Sequence, residues 1–507
     1  MNAQLVSRPP RLAALLATTL ALGLAGQPPD AARANGTRQV SSLRVGHTVK
    51  QMIVTGSTAG EARHVAVHLW YPADERGLSE RPKTIYRSAL WHKSLPAPWA
   101  PLSWEVEAEV AREGAPIDPH GRAFPVIVFS HGSNNDPIDY AHTLELIAGA
   151  GFVVAAPSHV NNTQDDVRID YINVQAGTTL FPCNDGLAPP CSRASVPNSM
   201  RDRVSDISHV LDALPGWFGD RVDVSRAGVL GHSRGTVTAL TAAGGSTGWG
   251  IQADSRVDAI MGLAIGAQAI TDTVNLTDVK VPTVLVAGGL DQNSVQAISE
   301  HAFATISSAD KLLVEIPHAT HRSFDSTYCA QLQSAAAHAN NNPNAILDLH
   351  TVGLIAASAP GFLSGKAVHY CAPQFFTTPV NLVVASTPNA EYFCGGTDDP
   401  SLRHQQSDPT CGLVPPTAGP PSPCVSTSIP CTGLDTEEVK QGIAAIAVAF
   451  FDSALRRTDH DHGIVFTRYL APKWLMEHVP MVGSAQAYAS PGSICPPDQG
   501  VICANQN

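Results

Sequence analysis

Six short apolar runs, at residues 125–130, 152–157, 227–231, 259–265, 283–288 and 311–317, recur through the middle of the chain. Most are separated by segments compatible with helices, such as 140–150 and 202–214. Each run is apolar throughout rather than alternating, the pattern of strands buried on both faces. A strand with two apolar faces needs cover on both sides, and helices between successive strands supply it. The expected architecture is α/β, a mostly parallel central sheet with helices on both faces. In such sheets reactive side chains collect beyond the carboxyl ends of the strands.

Outside this alternation the chain changes character. Residues 43–54 and 64–71 are alternating, β-branched runs around the turn-like Gly56-Ser57-Thr58-Ala59-Gly60, and read as two antiparallel strands at the edge of the sheet. Residues 72–121, rich in Pro, Arg and Glu, read as a long connection. Two insertions interrupt the pattern, at 161–199 and at 328–434. The second carries six of the ten cysteines and the proline cluster at 415–423. Beyond it, residues 436–456 have Ile443, Ile446, Ala447 and Phe450 at helical spacing. The expected organisation is thus a leader at 1–34, a core at 35–327 with its insertion, a cysteine-rich insertion at 328–434, and a terminal core helix with a tail at 435–507.

The leader reads as a secretory signal. Arg8 and Arg11 precede the apolar run 12–26, and Ala32-Arg33-Ala34 offers a small-residue cleavage site. Fifteen residues fall short of the ~20 that span a bilayer, so the run is not expected to remain as a stable membrane anchor. Export to the periplasm or the medium makes disulfides the default for Cys183, Cys191, Cys329, Cys371, Cys394, Cys411, Cys424, Cys431, Cys495 and Cys503. Their connectivity is open. The net charge of −12, with no basic run anywhere, argues against nucleic acid as a partner.

No metal or cofactor is expected either. His64 and His68 fall in a strand-like run that would hold their rings ~13 Å apart. Asp459-His460-Asp461-His462 cannot all face one point, and the cluster follows a helix end where water suffices.

The third run leads into Gly231-His232-Ser233-Arg234-Gly235 and then a helix-compatible segment. G-x-S-x-G between a strand and a helix is the pattern of a nucleophile elbow, with glycines where a Cβ would collide and the serine hydroxyl raised clear of the sheet. Two strands later Asp291 follows Gly288-Gly289-Leu290, and one strand further comes His318-Ala319-Thr320-His321. Each residue alone is a weak signal. Their joint occurrence, each past the end of its own strand and in the order Ser, Asp, His, matches the α/β-hydrolase order. Spacing does not by itself choose between the histidines. His321 is preferred because it lies further from the strand end, in a loop that can reach over the sheet. The oxyanion-hole amides expected on the same logic are those of Arg234, after the serine, and Ser133, in the loop Ser130-His131-Gly132-Ser133-Asn134. His131 reads as a structural hydrogen-bonding group beneath that loop.

The chain resembles the platelet-activating-factor-acetylhydrolase-like group of α/β-hydrolases, often labelled predicted dienelactone hydrolases in bacteria. The resemblance rests on Val67-His68-Leu69-Trp70-Tyr71-Pro72-Ala73, Val128-Phe129-Ser130-His131-Gly132, Gly151-Phe152-Val153-Val154, Gly231-His232-Ser233 and His321-Arg322-Ser323-Phe324, spanning roughly residues 44–325. It implies Ser233 and His321 as the catalytic serine and histidine, and Ser133 in the oxyanion loop. The chain departs from the group's pattern in three ways. Thr236 stands where a second glycine usually follows the elbow. Arg234 reads as bulky at the pocket mouth. The mammalian enzymes of the group carry their acid after the sixth strand, where this chain has none, which leaves Asp291. True dienelactone hydrolases use a cysteine nucleophile, and Ser233 argues against their substrate.

The expected chemistry is hydrolysis of a lipid or a short- to medium-chain ester through an acyl-enzyme on Ser233. A polyester or cutinase-like hydrolase is the rival within enzymes, and a catalytically silent, disulfide-rich binding protein is the rival outside them. The insertion at 328–434 begins seven residues after His321, so it is expected to wall the acyl pocket.

Overall fold

A computed structural model of the chain describes residues 43–56, 62–88, 104–133, 135–160, 162–163, 196–266, 273–289, 291, 294, 296–317, 319, 321–327, 330–331, 334, 436–456, 470–489 and 501–503. The expected leader, nearly all of both insertions and Asp459-His460-Asp461-His462 lie outside these residues. So do His318 and nine of the ten cysteines.

The six apolar runs form the parallel centre of one sheet. They are β5 (Phe124–Ser130), β6 (Val153–Pro157), β7 (Val222–His232), β8 (Val257–Leu263), β9 (Thr283–Gly288) and β10 (Lys311–Ile316). Before them come β1 (Val45–Thr55), β2 (Ala62–Pro72), β3 (Lys83–Arg87) and β4 (Glu105–Glu113). After them come β11 (Ser484–Ala489) and β12 (Val501–Cys503). The twelve strands lie in the order β12-β11-β10-β9-β8-β7-β5-β6-β2-β1-β4-β3. Neighbours from β6 through β10 are all parallel.

Helices cover both faces, as strands apolar on both sides require. On one face α1 (Ala141–Gly149) and α5 (Thr436–Leu455) pack Leu144, Ile147, Ile443, Ala447 and Phe450 against Ile127, Leu230 and Met261. On the other, α2 (Val196–Phe218), α3 (Arg234–Gly244) and α4 (Gln296–Thr305) bring Met200, Ile207, Leu211, Val237, Leu240 and Ile298 onto Val126, Val229 and Leu285. A short helix, α6 (Pro472–His478), precedes β11. The chain thus has a three-layer α/β architecture. At ~25 cal/mol per Å² of apolar surface, each fully buried Leu, Ile or Phe contributes about 1.5–3 kcal/mol before its ordering entropy is counted.

Two expectations need correction. β1 and β2 are not the sheet's edge, and residues 72–121 are not merely a connection. β4 continues the sheet by a short parallel pairing of Gly46 with Arg112 and His47 with Glu113, and β3 then pairs antiparallel with β4 as the true edge. In β4, Val106, Ala108 and Val110 turn inward while Glu105, Glu107 and Glu109 are more open to water, a period-two pattern hidden by the segment's charge. The outer glutamates pair across the edge, Lys83 with Glu107 and Arg87 with Glu105 at 3.0 Å each. Such exposed pairs add little stability, but charge on an edge strand discourages pairing with another chain.

The edge is pinned to the core by a buried carboxylate. Glu145 on α1 accepts from the Val110 and Ala111 amides at 2.6 and 3.0 Å and from the Tyr86 hydroxyl at 2.9 Å. The segment read as a tail also joins the sheet, where β11 pairs antiparallel with β10 from Lys311↔Tyr488 to Glu315↔Ser484.

Candidate active site

β5, β7, β9 and β10 run in the same direction, so the loops after Ser130, His232, Gly288 and Ile316 all emerge at one end of the sheet. The sharpest of these turns is at Ser233, the single residue between β7 and α3. Its φ of 55° and ψ of −119° lie outside the regions that L-residues favour. A conformation of this kind costs about 1–3 kcal/mol and persists only where the surroundings over-determine it. Here they do. The Ser233 amide donates to the Leu263 carbonyl at 2.8 Å, and the Ser233 carbonyl accepts from Thr236 N at 3.0 Å and Gly266 N at 3.2 Å. The turn is tight enough that a Cβ on Gly231 would overlap the Gly235 carbonyl, and one on Gly235 the Ser130 carbonyl.

Thr236 fits where a glycine was expected because its neighbour gives way. Its hydroxyl is shared between the Gly231 and Leu263 carbonyls at 2.9 and 2.8 Å, and its methyl occupies the space that a side chain on Gly262 of β8 would need.

Asp291 and His321 are brought together by the ends of β9 and β10. His321 Nδ1 lies 2.8 Å from Asp291 Oδ2, and the other carboxylate oxygen accepts the Ser294 amide at 2.8 Å. Both residues are buried. An imidazole that donates from Nδ1 keeps Nε2 as its acceptor, the tautomer a general base requires. The His321 ring lies 4.6 Å from that of His232, the residue before Ser233. His232 is in turn held by the Tyr140 hydroxyl, 2.7 Å from its Nδ1. Ser133 sits in the turn after β5. Arg234 opens α3, where the helix dipole and free amides favour negative charge. The Arg234 side chain is buried, 6% exposed.

Beneath the Ser130-to-Ser133 loop lies a buried polar network of which the sequence indicated only His131. Arg203 of α2, with no exposed surface, donates to the His131 carbonyl, to Ser130 Oγ at 3.3 Å and to Thr238 Oγ1 at 3.0 Å. His159 bridges Ser130 Oγ at 2.9 Å and Asp206 at 2.8 Å, and Asp206 pairs with Arg63 at 2.8 Å. Burial, reinforced by the Arg203 charge, holds both His131 and His159 well below the ordinary histidine range. Burial also pulls Arg203 down to about 9 and pushes Asp206 up to about 6, against the opposing pull of Arg63. His131 uses both ring nitrogens, one facing the Gly132 carbonyl at 2.7 Å and the other accepting the His159 amide at 3.0 Å. A sequence signal for this network did exist. Arg203 and Asp206 interrupt an apolar helical stripe of Met200, Val204, Ile207 and Leu211.

Among the described residues no group of three or more His, Cys, Asp or Glu is arranged to hold a metal ion. No described helix is long and apolar enough to cross a membrane.

With this geometry in hand, comparison with known proteins is informative. The family model for platelet-activating factor acetylhydrolase, isoform II, matches residues 53–166, from β1 through the loop after β5 to just past β6. Over those residues the chain is similar to that family. No curated protein matches it. Among solved structures it is similar to a ferulic acid esterase from Streptomyces cinnamoneus, at 19% identity and a TM-score of 0.38, covering 60% of this chain and 89% of that one. It is also similar to a cold-adapted esterase from an Arctic intertidal metagenomic library, at 15% identity and a TM-score of 0.32, covering 57% and 90%.

Proposed function

We propose that this chain is an exported serine hydrolase that cleaves carboxylic esters through an acyl-enzyme on Ser233. The ester-hydrolase class rests on the matched family. The assignment of roles rests above all on the Asp291–His321 pair, 2.8 Å apart at the end of the sheet that also carries the strained serine.

In this reading His321 Nε2 takes the Ser233 proton as the hydroxyl attacks the ester carbonyl, then returns it to the leaving alcohol. Asp291 holds the tautomer and stabilises the imidazolium. The Ser133 and Arg234 amides receive the oxyanion, each contributing about 3 kcal/mol to the transition state. Water, activated by the same histidine, then releases the acid. No cofactor or metal takes part, and the substrate is a small-molecule or lipid ester. Export follows from the leader at residues 1–34.

The test is a fluorophosphonate probe with peptide mapping, run beside hydrolysis of a short-chain p-nitrophenyl ester by wild type and Ser233→Ala. The expected result is a single adduct on Ser233 and loss of both labelling and turnover in the variant. An adduct elsewhere, or an active Ser233→Ala protein, would overturn the assignment. A folded wild-type protein that neither labels nor turns over any ester would favour the silent binding reading.

A further inference from the structure

We propose that Arg203 is a positioning residue for the oxyanion hole: one buried guanidinium holds the loop carrying Ser133 and the first turn of α3, which carries Arg234, in fixed relation. This rests on the oxyanion assignment above.

The argument begins with the planar trans peptide, in which each carbonyl points opposite to the next residue's N–H. The His131 carbonyl is turned inward by Arg203 Nη2, so the Gly132 amide is directed the other way. The Gly132 carbonyl is held by the His131 ring at 2.7 Å, which directs the Ser133 amide away from that ring. Two successive peptides of the oxyanion loop are therefore oriented from below, one by Arg203 directly and the next by the imidazole of the residue whose carbonyl Arg203 holds.

Beside Nη2, Arg203 Nε donates to Thr238 Oγ1 at 3.0 Å. That hydroxyl in turn donates to the Arg234 carbonyl at 2.9 Å, locking the first turn of the elbow helix. A guanidinium has a rigid planar fork able to bind both sides at a set separation, whereas a lysine ammonium is a single point on a flexible stem.

Packing alone does not call for an arginine here. Met200 and Ile207, on the same stripe of α2, are buried apolar residues, and an apolar side chain at 203 would fill the volume without the several kcal/mol that burying a cation costs. The surroundings instead accommodate the charge. Asp206 supplies the opposing carboxylate, which it also shares with Arg63. His131 and His159 stay neutral, and Ser130, Thr238 and, at 3.5 Å, Asn162 complete the acceptors.

The test uses the full chain with Arg203→Lys, Arg203→Met and Thr238→Val, each normalised to the fraction titrated to completion by a fluorophosphonate. Ser233→Ala serves as a control. For the arginine variants kcat should fall about 10- to 100-fold with KM within about threefold, short of the loss from removing an oxyanion donor outright. Inhibition by a trifluoromethyl ketone, whose serine adduct places an oxyanion in the hole, should weaken by the same factor. Thr238→Val, which keeps the guanidinium and removes one acceptor, should lose about tenfold in kcat, and it decides the matter if Arg203→Met does not fold. A role in stability alone would lower the unfolding midpoint while leaving kcat per titrated site and ketone affinity within about threefold of wild type, and that result overturns the proposal. Failure of the function itself looks different, because Ser233→Ala would then remain active.

Discussion

The fit between Thr236 and Gly262 offers a test of how tightly the elbow is packed. A Cβ added at Gly262 would fall far inside van der Waals contact with the Thr236 methyl, and would sit 3.1 Å from Leu285 Cδ2 and 3.2 Å from Thr236 Oγ1. Neither neighbour can retreat easily. Leu285 is buried in β9, and the Thr236 hydroxyl is tied to two carbonyls. Overpacking of this kind costs about 1–3 kcal/mol, so Gly262→Ala is expected to destabilise by about 2–3 kcal/mol. Thr236→Ser alone keeps the hydroxyl, removes only the methyl, and should cost about 1 kcal/mol as a small cavity.

Combined, the two changes should partly cancel, because the serine vacates the space the alanine needs. The double variant is expected to be about 1–2 kcal/mol more stable than the sum of the singles. Urea unfolding followed by tryptophan fluorescence measures all four corners of the cycle, and p-nitrophenyl ester turnover reports whether Ser233 keeps its position. Additivity within about 0.5 kcal/mol would refute the reasoning, since the methyl would then not be what Gly262 makes room for.

Asp291→Asn should lower kcat by about 10³–10⁴ with little change in KM, because an amide facing Nδ1 favours the tautomer whose Nε2 cannot accept the serine proton; steady-state activity within tenfold of wild type would remove Asp291 from the site. A second expectation concerns acid. His68, lowered to about 3, and His131 and His159, held well below the ordinary value, are neutral when folded and take up protons on unfolding, so their stabilisation is present above ~6.5 and is lost as pH falls. Asp206, raised to about 6, acts with the opposite sign and offsets about one of those protons near pH 5. Three histidines outweigh the one opposing carboxyl, so these groups together predict that stability falls as pH drops from 7 to 5, and a denaturation free energy flat over that range would contradict it.

What could be read from the sequence was whatever depends on local order. The six buried strands, the elbow, and the order Ser233, Asp291, His321 all follow from runs and spacings within a few residues. The structure brings Asp291 and His321 together as those spacings suggest. β3 and β4 escaped because β3 is only five residues long and β4 alternates small inward residues with Glu and Arg, a composition that resembles a loop. The Val110 and Ala111 amides are satisfied by Glu145, contributed by a helix some 35 residues later. The network around Arg203 escaped for a related reason. Burial of a charge is a property of the assembled fold, and the sequence marks it only as an interruption in an apolar stripe. Gly262 is the same kind of case, since its necessity lies in a threonine 26 positions earlier.

The pairing of β11 with β10 also sets an order of events during synthesis. β10 ends at Ile316 and the strand that closes its free edge begins at Ser484, about 170 residues later. At roughly 5–20 residues per second a ribosome needs about 10–35 s to cross that interval. For all of that time the nascent chain carries an apolar β10 with one row of backbone donors and acceptors unclaimed, a template for mispairing with any other extended chain. Helix α5, which covers Met261 and Leu230, also arrives only after residue 436. The half of the site contributed by β10 therefore matures last, and a growing chain needs protection over this interval more than at any earlier point. Truncations ending before Ser484 would leave that vulnerable edge as a permanent feature of the molecule.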